Sequence, residues 1–315
     1  VRALTIHEKR LEIAEHESPT PGPYDVVVSV RAAGINAADL LQRQGFYPAP
    51  DGSPPDIPGM EVSGLVTQVG DRVVEPLMGR RVCAVVGGGA QAKECVVASE
   101  HLLFLPDHVS WEEAGGFPEI FSTAYDALVT QANLQSGERV LISGAAGGVG
   151  VAGVQIAHAL GARVTAVTRT AEFHEQLRSL GANETITLDQ VSTIDRVDVV
   201  LELLGAAHLD LAQKVLAPHA RVVVIGVGQG GRFELDLLAM MRNRTTFTGS
   251  TLRARTREEK ASVARLVGDS LIPRWEKGEL TVPLARVFSF DEGEAAYDYF
   301  GQPGKFGKVV LRIAE

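Results

Sequence analysis

The sequence predicts an α/β protein in two parts: a doubly wound parallel-sheet domain and a mostly β domain. Three observations predict it. Between about Gln135 and Thr251, short β-branched runs alternate with helix-compatible segments. The first 117 residues instead show strands separated by Pro- and Gly-rich connections. At 315 residues, and about 150 per domain, the length suits two cores.

In the alternating region the β-branched runs cover residues 140–143, 164–168, 185–188, 197–201, 222–225 and 245–248. Helix-compatible segments cover 151–160, 171–180 and 209–216. Continuous apolar strands alternating with helices indicate a parallel sheet covered on both faces. The first part carries strands at 26–31, 61–69 and 81–86 and a short helix at 37–44. Past Thr251 the pattern gives a helix at 258–271, then Pro273, a strand at 282–290, a helix at 292–300 and a last strand at 308–313. That tail is too small to bury its own core, so it docks on the first part. The domains therefore read as 1–117 with 252–315, and 118–251.

Charge and cysteine content narrow the function. Thirty Lys and Arg against 39 Asp and Glu leave −9, which argues against a nucleic-acid binder. Two cysteines, Cys83 and Cys95, cannot build a four-thiolate zinc site and suggest a reducing compartment. No apolar run approaches the 18 residues of a membrane span. The charged segment 1–17 does not read as a secretory signal. A cytoplasmic enzyme is the expectation.

The glycines carry the first motif. Gly144, Gly147 and Gly150 form a GxxGxxG pattern between the 140–143 strand and the 151–160 helix. Such a turn brings backbone close to a pyrophosphate and holds its oxygens at a helix N-terminus. A Gly-rich turn without a ligand is the alternative, and the strand–turn–helix–strand context favours the dinucleotide. Gly148, Gly150 and Gly153 also match GxGxxG literally, and a second literal match, Gly226 to Gly231, follows a strand but opens no clean helix. It reads as a loop at the carboxyl edge of the sheet, either contacting a nicotinamide or simply turning.

The second strand of the unit ends in Thr168, Arg169 and Thr170, with no carboxylate at its tip. A ribose 2′-hydroxyl is commonly bound there by Asp or Glu, whereas Arg169 suits a 2′-phosphate. Glu172 is the nearest rival, placed in the first turn of the next helix. NADPH is favoured over NADH.

Several segments carry a family resemblance. They are AAGINAADLLQRQGFYP at 32–48, PGMEVSG at 58–64, FPEIFSTAY at 117–125, GSTLRAR at 249–255 and GKFGKVVL at 304–311. Together with the glycine motif they resemble the zinc-free, zeta-crystallin-like quinone oxidoreductases of the medium-chain dehydrogenase/reductase superfamily. The resemblance implies a GroES-like catalytic domain beside a Rossmann domain. Zinc-dependent members place a Cys where this chain has Asn36 and a His where it has Met60. Without them, a catalytic zinc of the three-ligand type is not expected.

The same resemblance implies site residues. Asn36 and Tyr47 would face the nicotinamide pocket. Thr123, at the start of a helix, would reach the nicotinamide ribose or ring. Gly144, Ala145, Ala146, Gly147, Gly148, Val149 and Gly150 would cradle the pyrophosphate. Gly226 and Val227, with Ser250, Thr251 and Leu252, would embrace the nicotinamide, and Lys305 would lie near the phosphates. Leu188 replaces an aromatic or His of many relatives beside the adenosine, and Arg169 replaces a small residue.

A metal-free site suits an acceptor that tolerates negative charge. The expected activity is therefore hydride transfer from NADPH to a quinone in the interdomain cleft. Asn36 would hydrogen-bond a quinone oxygen, and Tyr47 would donate to it, stack on it, or only pack beneath the Pro-rich loop. Reduction of activated C=C bonds in enals, enones or enoyl thioesters is the nearest alternative, and a non-catalytic NADPH-binding protein the second. A homodimer is expected, with residues 245–251 pairing at the sheet edge.

Overall fold

The computed structural model describes residues 1–314. The chain forms two compact units, Val1–Ser122 with the tail from Leu252 onward, and Thr123–Thr251.

The first unit opens with a hairpin, β1 (Arg2–His7) and β2 (Arg10–Glu15), that composition alone does not reveal. Its turn places Glu8 and Lys9 at φ 49° and 67°, the left-handed region usually left to Gly or Asn. Then follow β3 (Asp25–Ile35), α1 (Ala37–Gln44), β4 (Glu61–Val69), β5 (Arg81–Val85), β6 (Glu94–Ala98) and β7 (Leu103–Phe104). Two short helices follow, α2 (Trp111–Gly116) and α3 (Pro118–Tyr125), whose last three residues, from Thr123 on, already belong to the second unit. The strand β3 is 11 residues long because it serves three neighbours, pairing antiparallel with β4, β6 and the last strand of the tail.

The second unit is β8 (Arg139–Ile142), α4 (Gly148–Ala159), β9 (Arg163–Thr168), α5 (His174–Ser179), β10 (Glu184–Thr187), β11 (Val197–Glu202), α6 (Ala206–Ala212), β12 (Leu216–Val224), α7 (Leu237–Asn243) and β13 (Thr246–Gly249). All its strand pairs are parallel, in the order β10-β9-β8-β11-β12-β13. Renumbered from β8 this is 3-2-1-4-5-6, the doubly wound dinucleotide-binding order, with its switch point between β8 and β11. Valines and leucines of the central strands are fully buried, as a sheet covered on both faces requires.

Two expected helices begin differently. The segment expected at 171–180 starts as a 3-10 turn, Ala171–Phe173, and becomes α-helical only at His174, so Glu172 lies in the turn. The one expected at 209–216 starts at Ala206, because Gly205 at φ 106° turns the chain early, and Leu216 already belongs to β12.

The tail supplies α8 (Arg257–Ser270), α9 (Ile272–Glu276), β14 (Leu284–Ser289), α10 (Gly293–Gly301) and β15 (Lys308–Arg312). Pro273 sits in the first turn of α9, where its missing N–H leaves no bond unmade. β15 pairs antiparallel with β3 through Val309–Ile35 to Arg312–Ala32, so the tail completes the first unit's sheet.

Candidate active site

In the second unit the predicted glycine cradle sits at the carboxyl end of β8. Gly144 has φ 58°, and Gly147 is the N-cap of α4 without a side-chain cap bond. A Cβ on Gly150 would lie 2.5 Å from the Gly144 carbonyl oxygen and 2.6 Å from Ala145 Cα. One on Gly153 would lie 2.8 Å from Leu201 Cδ2, so the helix presses onto the sheet. Gly147 itself is exposed, which leaves the first N–H groups of α4 open to an anion. This turn fits a pyrophosphate in shape and polarity. The second glycine motif is crowded at its start, where a Cβ on Gly226 would lie 2.4 Å from the Leu203 carbonyl oxygen, and open further on, where a Cβ on Gly228 or Gly231 meets nothing within 4 Å among the described residues.

Arg169 follows β9 and is exposed, with no hydrogen bond or ion pair among the described residues. Thr168 beside it is buried and spends its hydroxyl on the Thr170 carbonyl (2.8 Å) and His174 Nε2 (2.9 Å). Gly226 and Val227 follow β12, and Ser250 and Thr251 follow β13. The Gly226 N–H donates to the Glu202 carbonyl (3.1 Å), and Ser250 N–H donates to the Val224 carbonyl (3.0 Å). Cradle, Arg169 and these two loops thus share the carboxyl edge of one sheet.

Sequence reading missed the residue that organises this edge. Glu202, fully buried at the end of β11, accepts from Ser143 Oγ (2.9 Å), Leu204 N (2.7 Å) and Gly205 N (2.8 Å). Its other oxygen pairs with Nδ1 of the fully buried His208. Its backbone oxygen also receives the Ile225 N–H (2.9 Å). A hydrophobic run interrupted by one Glu carries no signal of this role.

In the first unit, Asn36 follows β3 and caps α1. A capping Asn normally accepts helix N–H groups with its side chain. Here the Asp39 N–H goes to the Asn36 carbonyl (3.0 Å), while the Asn36 N–H donates to Asp39 Oδ2 (2.8 Å). The side-chain amide is committed elsewhere: Nδ2 donates to Glu61 Oε1 (2.9 Å), and Oδ1 accepts from Lys308 Nζ (2.7 Å). Asn36, Glu61 and Lys308 are all buried.

Tyr47 is half-buried, and its hydroxyl has no hydrogen-bond partner among the described residues. Its ring lies under Arg253, with the guanidinium carbon 5.3 Å from the ring centroid. Arg253 is buried and donates to the carbonyls of Gly87 (2.7 Å) and Tyr47 (3.3 Å) and to Gln42 Oε1 (2.5 Å). It thereby fixes the Tyr47 segment to α1.

Asp39 lies between these two groups. Burial pushes its carboxyl up to about 6, although the Asn36 and Gly59 N–H groups and the charges of Arg253 and Lys308 pull it down. The folded state therefore binds a proton that the unfolded chain has lost, and this contribution to stability fades as pH rises through about 4 to 6. Protonation also weakens the acceptor that holds Asn36. We expect acceptor turnover to fall below a pKa of about 6. Asp39→Asn should erase that limb in a kcat pH profile, and an unchanged limb would reject the assignment.

The placements differ in kind. Leu252 and Lys305, like Asn36 and Tyr47, belong to the first unit, and the other candidates to the second. Thr123 does not start a helix, because α3 begins at Pro118 and Thr123 is its sixth residue. A π-helical turn, Asp126–Gln131, continues it. Lys305 is half-buried, its Nζ donating to the Gln302 carbonyl and lying 5.3 Å from the Phe300 ring centroid. Leu188 opens a 3-10 turn after β10. Cys83 and Cys95 are buried free thiols, and burial pushes both up, Cys95 to about 12, so neither is poised as a nucleophile. Met60 is buried just before β4. Among the described residues no helix is long and apolar enough to cross a membrane.

Residues 148–268 match the family described as zinc-binding dehydrogenase, and residues 22–134 match the alcohol dehydrogenase GroES-like domain. The human synaptic vesicle membrane protein VAT-1 homolog is 36% identical over 317 residues, spanning 93% of this chain and 80% of that one. The quinone oxidoreductase of Thermus thermophilus, solved also as its complex with NADPH, is 34% identical with a TM-score of 0.86. That likeness covers 99% of this chain and 100% of the other. The CurK enoyl reductase superposes with a TM-score of 0.87 at 27% identity, covering 99% of each chain.

Proposed function

The chain belongs to the medium-chain dehydrogenase/reductase superfamily, as a nicotinamide-dependent oxidoreductase akin to quinone oxidoreductases, and from that premise we propose that it reduces quinones with NADPH. Asn36 carries the reading. It puts a neutral amide, with one N–H uncommitted, where zinc-dependent members hold a thiolate. A neutral donor suits an acceptor whose product anion is weakly basic. A hydroquinone phenol has a pKa near about 10, like tyrosine, so it needs no Lewis acid to carry the charge.

A bound NADPH supplies the hydride. The protein's own part is binding and orientation. The N–H groups at the start of α4 would hold the pyrophosphate, and Gly226, Val227, Ser250, Thr251 and Thr123 of the second unit, with Leu252 and Lys305 of the first, are the proposed further cofactor contacts. Asn36 donates to the quinone oxygen, and the free hydroxyl of Tyr47 delivers or shares the proton.

NADPH oxidation by ortho- and para-quinones, set against 2-alkenals and enoyl thioesters, tests the acceptor. Turnover of an alkenal with none of any quinone would replace this reading with C=C reduction, which the CurK likeness favours. NADPH binding without any turnover would leave a non-catalytic binder.

The exposed and unpaired guanidinium of Arg169 supports the 2′-phosphate. Arg169→Ala should raise KM for NADPH about 10- to 100-fold, as loss of a charge-assisted contact does, while KM for NADH changes less than about twofold. Equal effects on both cofactors would remove the assignment.

A homodimer is supported by β13, the edge strand of its sheet, and by exposed apolar residues on α7: Leu237 at 64%, Leu238 at 55% and Met241 at 73%. Sedimentation should give a dimer, and Leu238→Asp with Met241→Asp a monomer. A monomeric parent protein would overturn it.

A further inference from the structure

We propose that Lys308 is a positioning residue that fixes the polarity of the Asn36 amide, so that its second N–H is presented to the acceptor. This rests on the reading of Asn36 as the acceptor contact. Lys308 begins β15 and is 2% exposed, and Glu61 begins β4 and is fully buried. The Lys308 ammonium has three hydrogens and three acceptors: the Ile35 carbonyl (2.9 Å), Asn36 Oδ1 (2.7 Å) and Glu61 Oε1 (2.6 Å). Glu61 in turn receives Asn36 Nδ2 (2.9 Å) and, on Oε2, the Glu119 N–H (3.0 Å).

Those bonds define a direction. An asparagine amide has one accepting and one donating end, and the two are nearly equal in shape. Reversing Asn36 would set its NH2 against the ammonium and its oxygen against the carboxylate. Lys308 and Glu61 therefore permit a single orientation. In that orientation one Nδ2 hydrogen is spent on Glu61, and the other has no partner among the described residues.

The backbone is built around the same cluster. A Cβ on Gly34 would collide with the Glu61 carboxylate, and one on Gly116 would sit 3.3 Å from Lys308 Cγ. Stability alone is a poor reason for the pair, since a buried ion pair often contributes no more than apolar residues of the same volume. Glu61 of β4 and Lys308 of β15 converge instead on the one Asn36 side chain, which gives the pair a directional role. In the 304–311 segment the family resemblance implies a role for Lys305 alone, and this supplies one for Lys308.

Lys308→Met alone leaves the Glu61 charge buried and unpaired, and that variant is at risk of not folding. Lys308→Met with Glu61→Gln removes both charges together and keeps the volume. In this folded double variant we expect kcat with an ortho-quinone to fall about tenfold, the worth of one oriented hydrogen bond, with KM for NADPH within about twofold. Adding Asn36→Ala should then cost less than about twofold, although alone it costs about tenfold, because both changes remove one interaction. Unchanged kcat in the folded double variant, or additive losses, would overturn the proposal.

A second measurement is independent of turnover. In the substrate-free protein, the Asn36 side-chain amide protons should exchange with solvent at least about tenfold faster in the double variant. Equal exchange would overturn the role of Lys308. If the parent protein reduces no quinone but the exchange differs, the acceptor assignment fails and the positioning role stands.

Discussion

Gly150→Ala should weaken NADPH binding by about 100-fold while leaving the protein folded. The added Cβ would lie 2.5 to 2.7 Å from the Gly144 carbonyl oxygen and from Ala145 Cα and C. Every one of those atoms is backbone, so no flexible side chain can swing aside. Either α4 or the Gly144–Gly147 turn must move. Overpacking of this kind costs about 1–3 kcal/mol, which the fold tolerates. The pyrophosphate contacts are less forgiving, because several N–H groups must converge on the same oxygens. Gly231→Ala is the matched control: its Cβ meets nothing within 4 Å, and affinity should change less than about twofold. Fluorescence titration of both variants with NADPH decides the matter. A Gly150→Ala dissociation constant within about threefold of the parent would remove the cradle from the cofactor site.

The two glycine motifs also show what a sequence can and cannot disclose. Both match GxGxxG literally, yet only the first has the strand-to-helix context; crowding does not separate them, since a Cβ on Gly226 would lie 2.4 Å from the Leu203 carbonyl oxygen. Context was readable because it is local: strand, turn and helix are contiguous from Arg139 to Ala159. The same holds for β4 and α1, where alternation and helical spacing mark Glu61–Val69 and Ala37–Gln44 without help from the rest of the chain. The hairpin at the N-terminus escaped because Glu8 and Lys9 adopt left-handed backbone that their residue types do not advertise.

Polar clusters are illegible for a different reason. Asn36 was recognisable by resemblance, but its partners lie 25 and 272 residues away, at Glu61 and Lys308. Arg253 meets Gln42 across 211 positions. No periodicity links such residues, and only the strand order that brings β15 beside β3 makes them neighbours. Burial of their charges is likewise a property of the finished fold.

Glu202→Leu should be the most destabilising substitution in the second unit. The carboxylate serves Ser143 Oγ, the Leu204 and Gly205 N–H groups and His208 Nδ1, all within a region closed to water. Leucine accepts from none of them. His208 Nε2 already lacks a partner among the described residues, so the imidazole would lose the polar contact that Glu202 gives it. Breaking a buried, hydrogen-bonded pair in this way costs about 3–5 kcal/mol, a large fraction of the 5–15 kcal/mol typical of a domain. Glu202→Gln keeps one carbonyl oxygen for the three donors and offers an NH2 to the His208 ring nitrogen, so its cost should be about 1 kcal/mol. The acid side separates the two states of this cluster. Burial pushes the Glu202 carboxyl up, but the His208 hydrogen bond and charge and the Gly205 and Leu204 N–H groups outweigh it, holding its pKa below the ordinary 4.5. A carboxyl with a depressed pKa adds stability above its unfolded value and loses it as pH falls through the folded one. Urea midpoints measured from pH 6 to pH 3 should therefore drop less steeply in Glu202→Gln than in the parent protein. NADPH affinity should follow the same order, because the Glu202 carbonyl holds Ile225 and Gly226 while its carboxylate holds Leu204 and Gly205. A Leu variant that loses less than about 1 kcal/mol, or a Gln variant with the parent's acid slope, would show that Glu202 does not organise this edge of the sheet.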